Sequence, residues 1–159
     1  MRPRHLTTES SLVELSEADA TDGIDLAVNG TLMRGLALNY RLVDAGARFI
    51  QATTTTACYR LFSIGDQYPA MLRDDSGHEV EVEVWRLPPE ALGDLLISEP
   101  PGLCIGRATL AGGETVLAVL GEPWACEDAV DITAYGGWRA YTDRTTQPSD
   151  DLSDPDGPL

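Results

Sequence analysis

Six residues constrain the fold more than any other stretch of this chain. From Glu79 to Val84 glutamate and valine alternate without a break, with Val80, Val82 and Val84 on one side and Glu79, Glu81 and Glu83 on the other. A period of two belongs to a β-strand, since successive side chains leave opposite faces. The valine face is therefore core and the glutamate face is wet, so the domain must contain a sheet with one covered side. Trp85 continues the strand into the core.

The neighbouring segments follow from the same logic. Ile24 to Val28 is a short apolar run that stops at Asn29-Gly30, as a strand leaving a buried sheet does. Met33, Leu36, Tyr40 and Val43 then recur at helical spacing up to Gly46, which predicts a helix with a glycine stop. Phe49 to Thr56 and Cys58 to Ile64 are rich in β-branched residues and predict strands. Ala70 to Arg73, the turn Asp74-Asp75-Ser76-Gly77 and the alternating segment predict a hairpin. Pro88-Pro89 opens a short helix with the stripe Leu92, Leu95 and Leu96, ended by Glu99-Pro100-Pro101-Gly102. Leu103 to Leu110 and Thr115 to Leu120 predict a second hairpin around Gly112-Gly113. A last short segment carries Tyr135, Trp138 and Tyr141. About seven strands and two or three helices predict an α+β domain around a small, mostly closed mixed sheet.

Charge and composition narrow the function. The chain carries 26 acids against 11 bases, a formal charge of -15, so neither nucleic acid nor an anionic membrane surface is an expected partner. There is no lysine, which excludes Schiff-base chemistry and lysine-dependent phosphate loops. The only histidines are His5 and His78. Cys58, Cys104 and Cys126 are odd in number and lack metal-site spacing, so no metal, cofactor or disulfide framework is expected. No stretch reads as a leader or bilayer span, and the expected location is a reducing cytoplasm. Residues 1–23 read as a flexible extension and 145–159, with three prolines and four aspartates, as a disordered acidic tail. Between them, residues 24–144 hold 17 acids and 9 arginines and form the single domain.

Several residues are candidates for chemistry. Asn29-Gly30-Thr31-Leu32 joins a strand to a helix, where free amides and the helix dipole favour an anion; the same residues serve equally for a tight turn and a threonine cap. Tyr59 either addresses a ligand through its hydroxyl or fills the core. Arg139 beside Trp138 either clamps a carboxylate or locks the last segment down.

The stretch LAVNGTLMRGLALN resembles the opening of proteins of the γ-glutamylcyclotransferase fold. ACYRLFSIG, VEVEVWRLPPEALG, PPGLCIG and DITAYGGWRAY resemble, more narrowly, the C-terminal domain of allophanate hydrolase. The resemblance spans nearly all of Leu26 to Tyr141 and implies a free-standing relative of that domain, without the serine-lysine amidase machinery that precedes it. It implies a small mixed β-barrel whose cavity binds a small carboxylated metabolite, a possible homodimer, and a separate amidase as a further partner. The implied reaction is decarboxylation of an N-carboxylated urea-like compound. The family pattern has a histidine where this chain has Thr31, and a hydroxyl orients a carboxylate without supplying a proton near neutral pH. The wider cyclotransferase group uses a glutamate whose register falls on Glu99, so cyclising cleavage of a γ-glutamyl-type amide is the alternative. Non-catalytic metabolite binding is the other. The group's loop tyrosine is Asn29 here, and the resemblance includes Asn39 as a substrate contact, against a loop-bracing role.

Overall fold

A computed structural model describes residues 23–146. Apart from Gly23, Thr145 and Thr146, the expected extension 1–23 and tail 145–159 lie outside the described residues.

Among the described residues eight strands form two sheets. The first has five strands in the order β2 (Arg48–Thr54), β5 (Glu81–Leu87), β1 (Ile24–Val28), β7 (Thr115–Gly121) and β6 (Leu103–Thr109). Its pairs are antiparallel except β1 with β7. The second sheet orders β4 (Tyr68–Arg73), β3 (Tyr59–Ile64) and β8 (Val130–Asp131). Four helices accompany them among the described residues: α1 (Asn39–Asp44), α2 (Pro89–Ser98), α3 (Pro123–Cys126) and α4 (Trp138–Thr146), with a 3-10 turn at Thr133–Tyr135. The core between the sheets is built on Leu26, Val28, Leu61, Met71 and the predicted valines Val80, Val82 and Val84, all at most 1% exposed. Among the described residues no helix is long and apolar enough to cross a membrane.

The expected mostly closed sheet is present, as a five-stranded sheet whose two edges meet at a single point. Thr56 N–H donates to the Thr109 carbonyl and Ala111 N–H to that of Thr54, both at 2.9 Å, around a lone bridge between Thr55 and Leu110. No continuous ladder joins β2 to β6, so strand pairing alone completes no closed barrel among the described residues.

The predicted hairpin from Ala70 to Val84 is corrected. β4 pairs instead with β3, through a turn in which Gly65 and Asp66 both adopt φ +58°. The turn at Asp74 to Gly77 closes as expected, Gly77 N–H donating to the Asp74 carbonyl, but the chain then meets β3 only at His78 and Tyr59 before crossing to the other sheet. Backbone of Tyr59 would lie within 2.6 Å of a Cβ at Gly77, so the crossing needs glycine there.

The helix expected from Met33 begins only at Asn39. Thr31 to Leu38 is a chain of tight turns, with Met33, Leu36 and Leu38 N–H donating to the carbonyls of Gly30, Met33 and Thr31, and Gly35 at φ +77° interrupts any helix. Tyr40 and Val43 face outward at 55% exposure; Leu42 is the buried residue of α1. Gly46, at φ +82°, ends the helix as expected. On α2 the covered residues are Ala91 and Leu95, while Leu96 is exposed.

Candidate functional site

β1 ends between two neighbours, β5 and β7, and delivers Asn29 to Leu32 to the mouth of the core. α2 ends at Ser98. Glu99 precedes Pro100 and is therefore barred from helical geometry; its φ of -75° and ψ of 151° are extended. These two chain ends meet. Glu99 and Asn29, Gly30, Thr31 and Leu32 line one pocket with Tyr68, Leu103 and Val119.

The pocket is small, holding about 20 Å³, room for roughly one water molecule. Larger depressions of about 520 Å³ between α1 and α2 and 360 Å³ beside Gly23 contain none of the expected site residues. What marks the small pocket out is its chemistry. Glu99 Oε1 is buried and has no hydrogen-bond partner. Burial raises the Glu99 carboxyl above the usual carboxylate range, and the Arg41 guanidinium opposes that only in part. Among the described residues the amides of Gly30, Thr31 and Leu32 have no acceptor within the protein. A carboxyl whose proton affinity is raised and loop amides without an acceptor in the protein thus border one pocket.

The remaining candidates divide. The Asn29 carboxamide, though it lines the pocket, donates to the Val119 carbonyl at 2.9 Å and ties β1 to β7. Gly30 is required by packing: a Cβ there would meet the Pro69 ring at 2.5 Å. Thr31 caps no helix, since α1 starts eight residues later behind Leu38. Three further expected substrate contacts do not line this pocket, and each has partners within the protein. Asn39 Nδ2 donates to the Leu32 carbonyl at 2.8 Å and braces the loop from outside the pocket lining. Tyr59 is fully buried, and its hydroxyl accepts from Thr109 N–H at 3.1 Å, beside the point where the sheet edges meet. Arg139 pairs with Glu81 and Glu83 and also lies outside the lining.

Sequence reasoning missed two residues. Tyr68, at the start of β4, walls the pocket; its only signal is the following Pro69, which packs where Gly30 has no side chain. Glu83 belongs by period to the wet face, yet it is 2% exposed. Burial works to raise its carboxyl, but the Arg34 N–H, the Trp85 indole and the Arg34 and Arg139 guanidiniums outweigh it and hold it below the usual range. Cys104, beside Leu103, has its thiol pushed up by burial and by Glu122, the wrong direction for a nucleophile. Among the described residues no group of three or more metal-ligating side chains converges.

Comparison with known proteins adds the following. The sequence profile of the allophanate hydrolase C-terminal domain matches residues 24–143. Urea amidolyase of Saccharomyces cerevisiae is 33% identical over 131 residues, 77% of this chain but 7% of that protein. The chain thus spans less than a tenth of the curated relatives it matches. Among solved structures, c4763, a uropathogenic E. coli-specific protein, is 48% identical at a TM-score of 0.75, covering 77% of this chain and 98% of that one. Kluyveromyces lactis allophanate hydrolase is 29% identical at 0.74, covering 80% and 22%. An AIG2-like protein from Mus musculus shares the fold alone, at 19% identity and 0.53, covering 65% and 82%.

Proposed function

The chain belongs to the allophanate hydrolase C-terminal domain family, and from that membership we propose that it is a cofactor-independent enzyme acting on a small carboxylated amide or ureido compound. The reaction is decarboxylation of an N-carboxylated, urea-like substrate in the Glu99 pocket. The free amides of Gly30, Thr31 and Leu32 receive the substrate carboxylate, helped by the Thr31 hydroxyl. As the bond between nitrogen and the carboxyl carbon breaks, its electron pair goes to nitrogen, which takes the Glu99 proton while carbon dioxide leaves. Water then returns a proton to Glu99. The acid needs a raised proton affinity to do this near neutral pH, which its burial supplies. Tyr68 walls the site and limits substrate size.

The observation that carries this reading is the buried, partnerless Oε1 of Glu99 in the same pocket as the amide-bearing loop. Folded proteins rarely leave such an atom without a reason. At about 20 Å³ the pocket must widen to admit anything larger than water, so substrate entry includes a displacement of its walls. Purified protein should release carbon dioxide from a set of N-carboxylated ureas and carbamates, and Glu99→Gln should lower that rate by about 10²-fold or more, the usual contribution of a general acid. A variant as fast as the parent refutes the proton-transfer role.

A second reading, cleavage of a γ-glutamyl-type amide with Glu99 as acid and base, is favoured by Glu99 itself, whose register is that of the cyclotransferase glutamate. Release of a cyclised product from γ-glutamyl amides, without carbon dioxide from carbamates, would select it. Inertness toward both substrate sets, with stable association to a separate amidase, would select a non-catalytic role.

A further inference from the structure

The loop that lines the pocket is gripped by a charge cluster centred on the buried Glu83. Glu83 stands opposite Val28 in the antiparallel ladder, so its backbone adjoins the residue from which the loop departs. Its carboxylate reaches the residue at which the loop leaves: Oε1 accepts the Arg34 N–H at 2.9 Å. Arg139 Nη2 donates both to Glu83 Oε2, at 2.9 Å, and to the Arg34 carbonyl, at 2.6 Å. Both polar groups of the Arg34 backbone are therefore held by side chains from β5 and α4. The Arg34 guanidinium closes the cluster, 3.3 Å from Glu83 Oε2 and 3.6 Å above the Phe49 ring centroid. Trp85 Nε1 donates to Glu83 Oε1 at 3.2 Å, fixing the carboxylate itself.

The closing motif Tyr135-Gly136-Gly137-Trp138-Arg139 is shaped to serve this cluster. Gly136 adopts φ +77°, and its carbonyl accepts the Glu81 N–H at 2.8 Å. A Cβ on Gly137 would meet Glu81 Cβ at 2.9 Å, so both glycines are what bring α4 and Arg139 against β5. An apolar side chain at 83 would stabilise the sheet as well as a buried ion pair does. It could not hold a backbone amide in a chosen place.

We propose that Glu83 and Arg139 are positioning residues that set the shape of the pocket loop by clamping Arg34, and that the Gly-Gly-Trp-Arg motif exists to deliver the clamp. This rests on the reading of the Glu99 pocket as the substrate site. The test uses Glu83→Gln, which keeps the side-chain shape and removes the charge, and Arg139→Gln, which leaves Glu83 to Arg34 and Trp85 and guards against misfolding of the first variant. Arg139→Lys is the conservative rescue. Hydrogen exchange is read at the amides of Met33, Arg34, Leu36 and Leu38, with β3 and β4 as the internal reference, and calorimetry measures affinity for malonate, a small dicarboxylate.

Loop amides in both glutamine variants should exchange at least tenfold faster while the reference strands keep the parental rate. Malonate affinity should fall about tenfold, with partial recovery in Arg139→Lys. Unchanged loop exchange, or acceleration shared equally by β3 and β4, overturns the proposal. If the parent binds no malonate yet the loop alone loosens in the variants, the substrate-site reading fails and the clamp stands.

Discussion

Replacing Glu99 by leucine should make the protein more stable, not less. In the native state Oε1 is buried without a partner, and an unsatisfied buried polar group costs about 1–3 kcal/mol. The rest of the carboxyl is less enclosed, so the lower part of that range applies, about 1–2 kcal/mol. Unfolding entropy near 2.1 cal/mol/K per residue over about 120 ordered residues is roughly 0.25 kcal/mol/K, which converts the gain into a rise in Tm of about 4–8 °C. The pH dependence has a definite sign. A carboxyl raised by folding is matched to the solvent only while protonated, so its penalty is absent below the unfolded value of about 4.3 and grows as pH climbs through the folded value. The advantage of the leucine variant should therefore be smallest in acid, widen above about pH 4.3 and then level off. Thermal unfolding from pH 4 to 8, with turnover measured alongside, checks this. A leucine variant less stable than the parent at every pH would mean that Glu99 is satisfied in solution and is not an acid primed by an unpaired, buried oxygen.

Two further substitutions probe the frame around the site. Gly30→Ala should cost about 1–3 kcal/mol by overpacking against Pro69, seen as a lower urea midpoint at constant m, so loss of ligand binding by substitution at Gly30 cannot be attributed to the loop amides alone. Tyr59→Phe leaves the Thr109 N–H without its acceptor and should cost about 1–3 kcal/mol, with exchange of the Thr56, Thr109 and Ala111 amides speeding first because the touching sheet edges part.

The sequence made local order legible and long-range pairing much less so. Val80, Val82 and Val84 announced the core by period alone, and Gly112-Gly113 announced the β6–β7 hairpin, because both signals lie within a few residues. The hairpin from Ala70 to Val84 failed for the opposite reason. Two turn-like stretches flank β4, and the one that makes a hairpin is chosen by which strand lies alongside afterwards, information held in the other sheet. The helix expected from Met33 failed because Arg34 is bound by Glu83 and Arg139, residues 49 and 105 positions away, which outweigh a helical spacing of apolar side chains.

The two glutamates that matter most show why a site resists being read from periodicity. Glu83 has the alternation of a solvent-facing residue and is buried, its charge retained because two arginines and an indole converge on it. Glu99 has no pattern beyond a helix end before two prolines, and it is partly buried with nothing converging on the atom that faces inward. Both depart from the rule that acids sit in water. A departure compensated by hydrogen bonds keeps the carboxyl below its usual range, and one left uncompensated raises it. Which of the two a given glutamate shows depends on whether remote chain supplies donors, so identical side chains 16 positions apart are shifted in opposite directions.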